Sequence, residues 1–180
     1  MLCAVAQVTP LSYQPAFDPY HGVFRILRLR AVIPRERILH SDHLRLLDFY
    51  LAFPVRMERI RVLPKHRALR NRALANAGAR PYEQQPDGRS LFNRMKSFQN
   101  VAIQGLANRQ YLHLGKLTKN EVEFLDREMP APLRNRVDEA NEAAQAVMNF
   151  VFALATDYEL GGPNGLKDRT GLMEFRYDPV

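Results

Sequence analysis

Cysteine, long apolar runs and catalytic signatures are all scarce in this chain, and each scarcity removes a class of protein. Cys3 is the one cysteine in 180 residues, so no intrachain disulfide can form. A chain of this length buries a core without such a staple, and the cysteine usage fits a reducing cytoplasm. The longest strongly apolar run, Val147–Ala155, is interrupted by Asn149. It falls well short of the about 20 residues that a membrane-crossing helix needs. The first Lys or Arg is Arg25, so the basic start of a signal peptide is missing and none is expected.

The chemistry-bearing patterns are equally thin. There is no Walker loop, no G-x-G-x-x-G and no G-x-S-x-G elbow, and GGPNG at 161–165 reads as a helix stop and turn. His40-Ser41-Asp42-His43 brings two imidazoles close in sequence, but no second Cys/His group supplies the other ligands of a zinc site. Its ordinary reading is a polar helix start. Nothing around Cys3 lowers a thiol pKa. The acidic residues at 121–142 belong mainly on helix surfaces, and none forms the acidic cluster with a nearby lysine that a metal-dependent nuclease would offer. No catalytic residue, metal or cofactor is therefore expected. An enzyme reading survives only as a site assembled from distant residues.

What the chain does have is arginine. Lys and Arg number 26 against 19 Asp and Glu, a formal net charge of +7. Residues 1–90 carry the whole excess, with 15 basic and 7 acidic side chains, whereas residues 91–180 carry 11 and 12. The density peaks at Arg56, Arg59, Arg61, Lys65, Arg67, Arg70 and Arg72, opposed by Glu58 alone. Such cationic density suits phosphate, because counterion release drives nucleic-acid binding. It serves an acidic protein surface equally well, and a solvated face is the bland alternative. Arg56 with Arg59, and Arg67 with Arg70, share a face at helical spacing.

The pattern of apolar residues predicts a mainly α-helical protein. Asp18-Pro19 is a cap and first-turn signal, followed by Tyr20, Val23, Phe24 and Leu27 at helical spacing. A second helix opens at Ser41 and is apolar on nearly all sides, which leaves Asp48 as an odd carboxylate until Pro54 stops it. A third starts at Pro64 and runs towards Gly78. Residues 78–90 form the clearest loop and divide a basic helical region, 1–80, from a second region, 81–180. One compact domain is the alternative. Beyond the loop, Ser90 caps a helix to about residue 108, and residues 111–117 suit a short strand. Thr118-x-x-Glu121 has capping-box form for a helix to Met129. From Leu133 to Tyr158 the apolar residues recur every three or four without a break. This predicts one helix of roughly 40 Å, with a seam for another helix of the chain or for a second copy. Alternation of Met173, Phe175 and Tyr177 predicts a terminal strand. The order from residue 90 onward resembles a winged-helix arrangement, so the fold expected is a helical domain followed by a winged-helix-like α+β segment. Asp138, Glu139 and Glu142 on its last helix would repel a phosphate backbone, so that segment suits packing or protein contact better than base readout.

YHGVFRILRL at 20–29 and LRLLDFYLAFP at 44–54, with the polar helices behind them, resemble the middle component of bacterial ABC-three-component systems. The likeness is to the subfamily numbered five and extends over about residues 18–160. It implies a non-enzymatic adaptor that joins a DNA-sensing ATPase of the SMC/ABC type to a variable effector subunit, a nuclease among the candidates. The setting it implies is a prophage- or plasmid-linked module in conflict with phage or plasmid DNA, with winged-helix folds. A stand-alone winged-helix DNA-binding regulator is the competing expectation.

Overall fold

A computed structural model describes residues 14–78 and 86–173. Among them are eight α-helices and two short strands. The helices are α1 (Pro19–Val32), α2 (Ser41–Ala52), α3 (Arg67–Ala75), α4 (Gly88–Asn108), α5 (Leu114–Leu117), α6 (Ala131–Ala143), α7 (Gln145–Thr156) and α8 (Leu166–Thr170). The strands β1 (Leu39–His40) and β2 (Glu121–Val122) pair antiparallel, Leu39 opposite Val122 and His40 opposite Glu121. Leu112 bridges Phe124 beside them.

The first two helices start where their caps place them. The Asp18 carboxylate accepts from Tyr20 N at 2.8 Å, and Pro19 fills the first helical position. His40 caps α2, its Nδ1 accepting from Asp42 N at 3.1 Å. α1 crosses α4 so closely at Gly22 that a Cβ there would lie 3.1 Å from Ala102 Cβ, a close approach that suits glycine. One buried cluster runs through α1, α2, α4 and α7 and draws residues from both sides of residue 80. Leu44, Leu46, Leu47, Phe49 and Phe92 are its fully covered centre.

Five expectations change. The helix expected over 133–158 is two helices, with Ala144 between them at φ −114°, ψ 28°. Arg28 supplies the reason. Its Nη2 donates to Ala140 O at 3.0 Å, the carbonyl a continuous helix would offer to Ala144 N, and that N–H turns to Glu142 O instead. α6 then lies on α1, while α7 packs on α2 and α3.

The capped helix expected over 118–129 does not form. The Thr118 hydroxyl donates back to Gly115 O at 2.9 Å and closes α5, and Asn120 takes φ 59°, a left-handed conformation that Asn tolerates. The chain then enters β2, where Val122 and Phe124 are buried and Glu121 and Glu123 are half-buried, a period of two. The winged-helix order is consequently not confirmed, since the stretch meant to open its helix-turn-helix is a turn and a strand. The strand expected over 111–117 shrinks to the bridge at Leu112, followed by α5. α4 opens at Gly88 rather than Ser90, with Asp87 as its cap, accepting from Arg89 N at 2.9 Å and Ser90 N at 3.2 Å. Most of the expected terminal strand lies outside the described residues.

Candidate functional site

Between α2 and α3 the basic stretch follows no regular element for long. Pro54–Arg59 is a 3-10 turn, residues 60–63 belong to no helix or strand, and Pro64–His66 is a second 3-10 turn that leads into α3. Buried Met57, Ile60 and Ala73 fix it to the core, so its Arg and Lys side chains are carried by a backbone with little freedom.

His66 is the main brace. Tyr158 Oη lies 2.8 Å from His66 Nδ1, Asp157 Oδ2 lies 3.1 Å from Nε2, and the same Tyr158 oxygen accepts from Leu63 N at 3.0 Å. For the neutral ring this order puts the proton on Nε2, donated to Asp157, while Nδ1 accepts from the Tyr158 hydroxyl. Asp157 also accepts from Lys65 Nζ at 2.7 Å. Hydrogen bonds from Lys65 and then from the Thr156 hydroxyl hold its carboxyl below the usual range. Tyr158 is buried among these groups, so the His–Tyr–Asp chain pins the segment to the end of α7.

The seven basic residues singled out by sequence divide into two sets. Four are tied into the fold. Arg56 donates to Pro86 O at 2.8 Å, Arg61 pairs with Asp168 at 2.8 Å, Lys65 takes Asp157, and Arg70 reaches back to Ile60 O at 3.1 Å. Arg169 closes the clasp from α8, its Nη1 donating to Arg61 O at 2.6 Å. The other three, Arg59, Arg67 and Arg72, are exposed, and their side chains make no ion pair or hydrogen bond among the described residues. The two pairs read as sharing a face are each split, since Arg59 and Arg67 are free where Arg56 and Arg70 are tied.

Arg59 also lines a cleft of about 210 Å³ with Arg56, Arg89, Asp87, Thr170 and Tyr50. Arg89, whose Nη2 donates to Gly171 O at 3.1 Å, adds a cation that the linear stretch did not include. Hydrogen bonds from the Ser90 hydroxyl and N–H, and from Arg89 N, hold the Asp87 carboxyl below its ordinary range. Burial pushes the Tyr50 hydroxyl well above its ordinary range.

The two segments that carried the family resemblance meet through charge. Arg25 Nε donates to Asp48 Oδ1 at 2.6 Å and Arg25 Nη2 to Oδ2 at 3.2 Å. The pair is buried, with the Asp48 side chain 1% exposed. Gln99 of α4 donates to Asp48 Oδ2 at 2.9 Å and to Arg45 O at 3.0 Å. Arg45 Nε donates to Gln99 Oε1 at 3.0 Å and its Nη1 to Asp42 at 2.6 Å. The carboxylate that looked misplaced on an apolar helix is thus the partner of Arg25. Asp48 was the legible half of that pair; no local pattern marks Arg25 as its partner.

Among the described residues, no three His, Cys, Asp or Glu side chains gather as a metal site. Nor is any helix there long and apolar enough to cross a membrane.

These features define a mainly helical protein with a braced, arginine-rich segment on its surface. The chain belongs to the family described as ABC-three component (ABC-3C) system Middle Component 5, which it matches over residues 11–178. Neither the curated proteins nor the solved structures give a match.

Proposed function

We propose that this chain is the adaptor of a defence complex, joining an SMC/ABC-type ATPase to an effector subunit in a system directed against phage or plasmid DNA. The observation that carries the reading is family membership across residues 11–178, since a middle component has partners to connect. The stretch Arg56, Arg59, Arg61, Lys65, Arg67, Arg70 and Arg72 is its contact with DNA or with an acidic face of the ATPase. Arg59, Arg67 and Arg72 reach the partner, and the other four hold the segment in shape. The near-neutral region 81–180 is left for protein contacts, and the adaptor catalyses nothing by itself.

Co-expression with its genomic neighbours and purification at moderate salt test this. The expected result is a complex of defined stoichiometry containing the ATPase, and no ATP or phosphodiester hydrolysis by the isolated chain. Elution of the chain alone overturns the adaptor reading. The competing reading, a stand-alone winged-helix DNA-binding regulator, draws on the same three exposed arginines. It requires sequence-selective DNA binding by the isolated chain that weakens steeply with salt.

A further inference from the structure

α3 and α6 are the least embedded of the helices longer than eight residues, each with one buried residue, Ala73 and Val137. Their outer faces differ in charge. α6 carries Asp138, Glu139 and Glu142 in exposed positions, whereas the chain has no Asp or Glu anywhere over residues 59–75.

Exposure along α3 follows the helical period. Leu69, Arg70, Ala73 and Leu74 are buried or half-buried on one side, and the helix packs there on α7 and on the 3-10 turn Pro54–Arg59. On the other side Arg67, Ala68, Asn71, Arg72 and Ala75 are all exposed. At about 100° per residue, Arg67 and Arg72 stand at the two margins of this outer arc, about 140° apart, with Ala68, Asn71 and Ala75 between them. Two cations thus flank a strip of small and amide side chains. The Asn71 amide nitrogen makes no hydrogen bond among the described residues, and its Oδ1 has only a long contact, 3.5 Å, from Arg70 Nη2. The turn that leads into the helix is pinned through His66 to Tyr158 and Asp157, so α3 is presented with little freedom.

That face separates the two partners open to the basic stretch. The centre of a protein interface is built on aromatic or aliphatic anchors in pockets, and the outer arc of α3 holds no apolar side chain larger than alanine. Nucleic-acid interfaces are instead polar and strongly positive. The major groove of DNA, about 12 Å wide, admits a helix whose diameter is about 10–12 Å. Phosphates run along both of its rims, where the two marginal arginines would lie. Base edges form its floor, which leaves room for alanine and offers an amide both donors and acceptors.

We propose that α3 docks in the major groove of duplex DNA, with Arg67 and Arg72 on the phosphates of opposite rims and Asn71 over the base edges. The inference rests on the reading of the basic stretch as a contact surface, and commits that surface to DNA rather than to an acidic face of the ATPase.

Fluorescence anisotropy of the full chain with a labelled DNA duplex of about two helical turns tests it, with an RNA duplex of the same sequence as competitor. The expected result is binding that weakens with salt, its slope of log affinity against log salt lower by about 1 in Arg67→Ala and likewise in Arg72→Ala. Asn71→Glu sets a carboxylate against the groove floor and is expected to weaken binding about tenfold or more. The RNA duplex, whose major groove is too narrow to be read, is expected to compete about tenfold less well than unlabelled DNA. Circular dichroism of the three variants, all at exposed positions, is expected to match the parent and separates lost binding from lost folding. Absence of DNA binding by the chain, both alone and co-purified with the ATPase, overturns the inference and leaves the adaptor reading standing. Equal competition by the RNA duplex overturns it too, as does full affinity in Asn71→Glu. Elution of the chain without the ATPase but with DNA binding intact overturns the adaptor reading and supports the groove contact.

Discussion

Arginine does opposite work in two regions of this molecule. Between α1, α2 and α4, Arg25 and Arg45 are buried and each is held by a carboxylate. Between Pro54 and Ala75, Arg59, Arg67 and Arg72 stand exposed with no partner among the described residues. The side chains are chemically the same, and burial decides their roles. Out of water, a charge must be paired and hydrogen-bonded or it destabilises the fold by several kcal/mol. In water, the same charge is screened and contributes little to folding. The buried set therefore fixes architecture, tying α1 to α2 and α2 to α4. The exposed set places no demand on the fold and is open to a partner.

The hardest test of that contrast is Asp48→Ala. It leaves Arg25 buried without its counter-ion and takes from Gln99 one of its two acceptors, and is expected to cost about 3–5 kcal/mol. Urea unfolding followed by circular dichroism measures it. A cost below about 1 kcal/mol, the scale of an exposed pair, would put the buried and surface arginines on one footing and break the contrast. The double replacement Arg25→Met with Asp48→Leu removes both charges together and is expected to recover much of the loss.

A buried group that avoids charge sharpens the same point and ranks next. His43 of α2 donates its Nε2 proton to Leu154 O of α7 at 3.0 Å, and burial lowers its pKa from 6.5 to about 4. Between those values the unfolded chain binds a proton that the folded chain refuses. Stability is thus intact above about pH 6.5 and falls as the pH drops towards 4, by up to about 3 kcal/mol. Urea midpoints measured from pH 7 to pH 4 should fall in that window and flatten in His43→Gln. An identical pH profile in His43→Gln would show that the acid sensitivity lies elsewhere.

How much of this was legible in advance depended on whether the deciding interaction was local. The starts of α1 and α2 were readable, because Asp18, Pro19 and His40 act within a turn of their own positions. The break at Ala144 was not, because it follows from Arg28, more than a hundred residues away, taking the Ala140 carbonyl. An unbroken apolar spacing from Leu133 to Tyr158 carries no trace of that bond. Over Glu121-Val122-Glu123-Phe124 the sequence held two signals, a capping box and strict alternation, and pairing with Leu39 and Leu112 decided for alternation. At the candidate site the cationic density was plain from composition. Its division into braces and free side chains was hidden, because Asp157, Asp168 and Arg169 come from the far end of the chain.

The smallest expected effect on stability is the most informative about function. Replacing Arg59, Arg67 and Arg72 together by Ala removes three charges whose side chains make no ion pair or hydrogen bond among the described residues, so each change should stay within about 0.5 kcal/mol of neutral. Binding is where the loss should appear. If the partner is DNA, removing three phosphate contacts should lower the slope of log affinity against log salt by about 3 and weaken binding equally across sequences. If the partner is an acidic face of the ATPase, co-purification should weaken while any DNA affinity of the assembled complex keeps its slope. The matched control is Arg61→Ala with Arg169→Ala, which removes the clasp that holds the segment. That pair should loosen the segment and lower stability, which the triple variant should not. A triple variant that unfolds like the clasp variant, or that keeps full binding, would show that these arginines belong with the buried set after all.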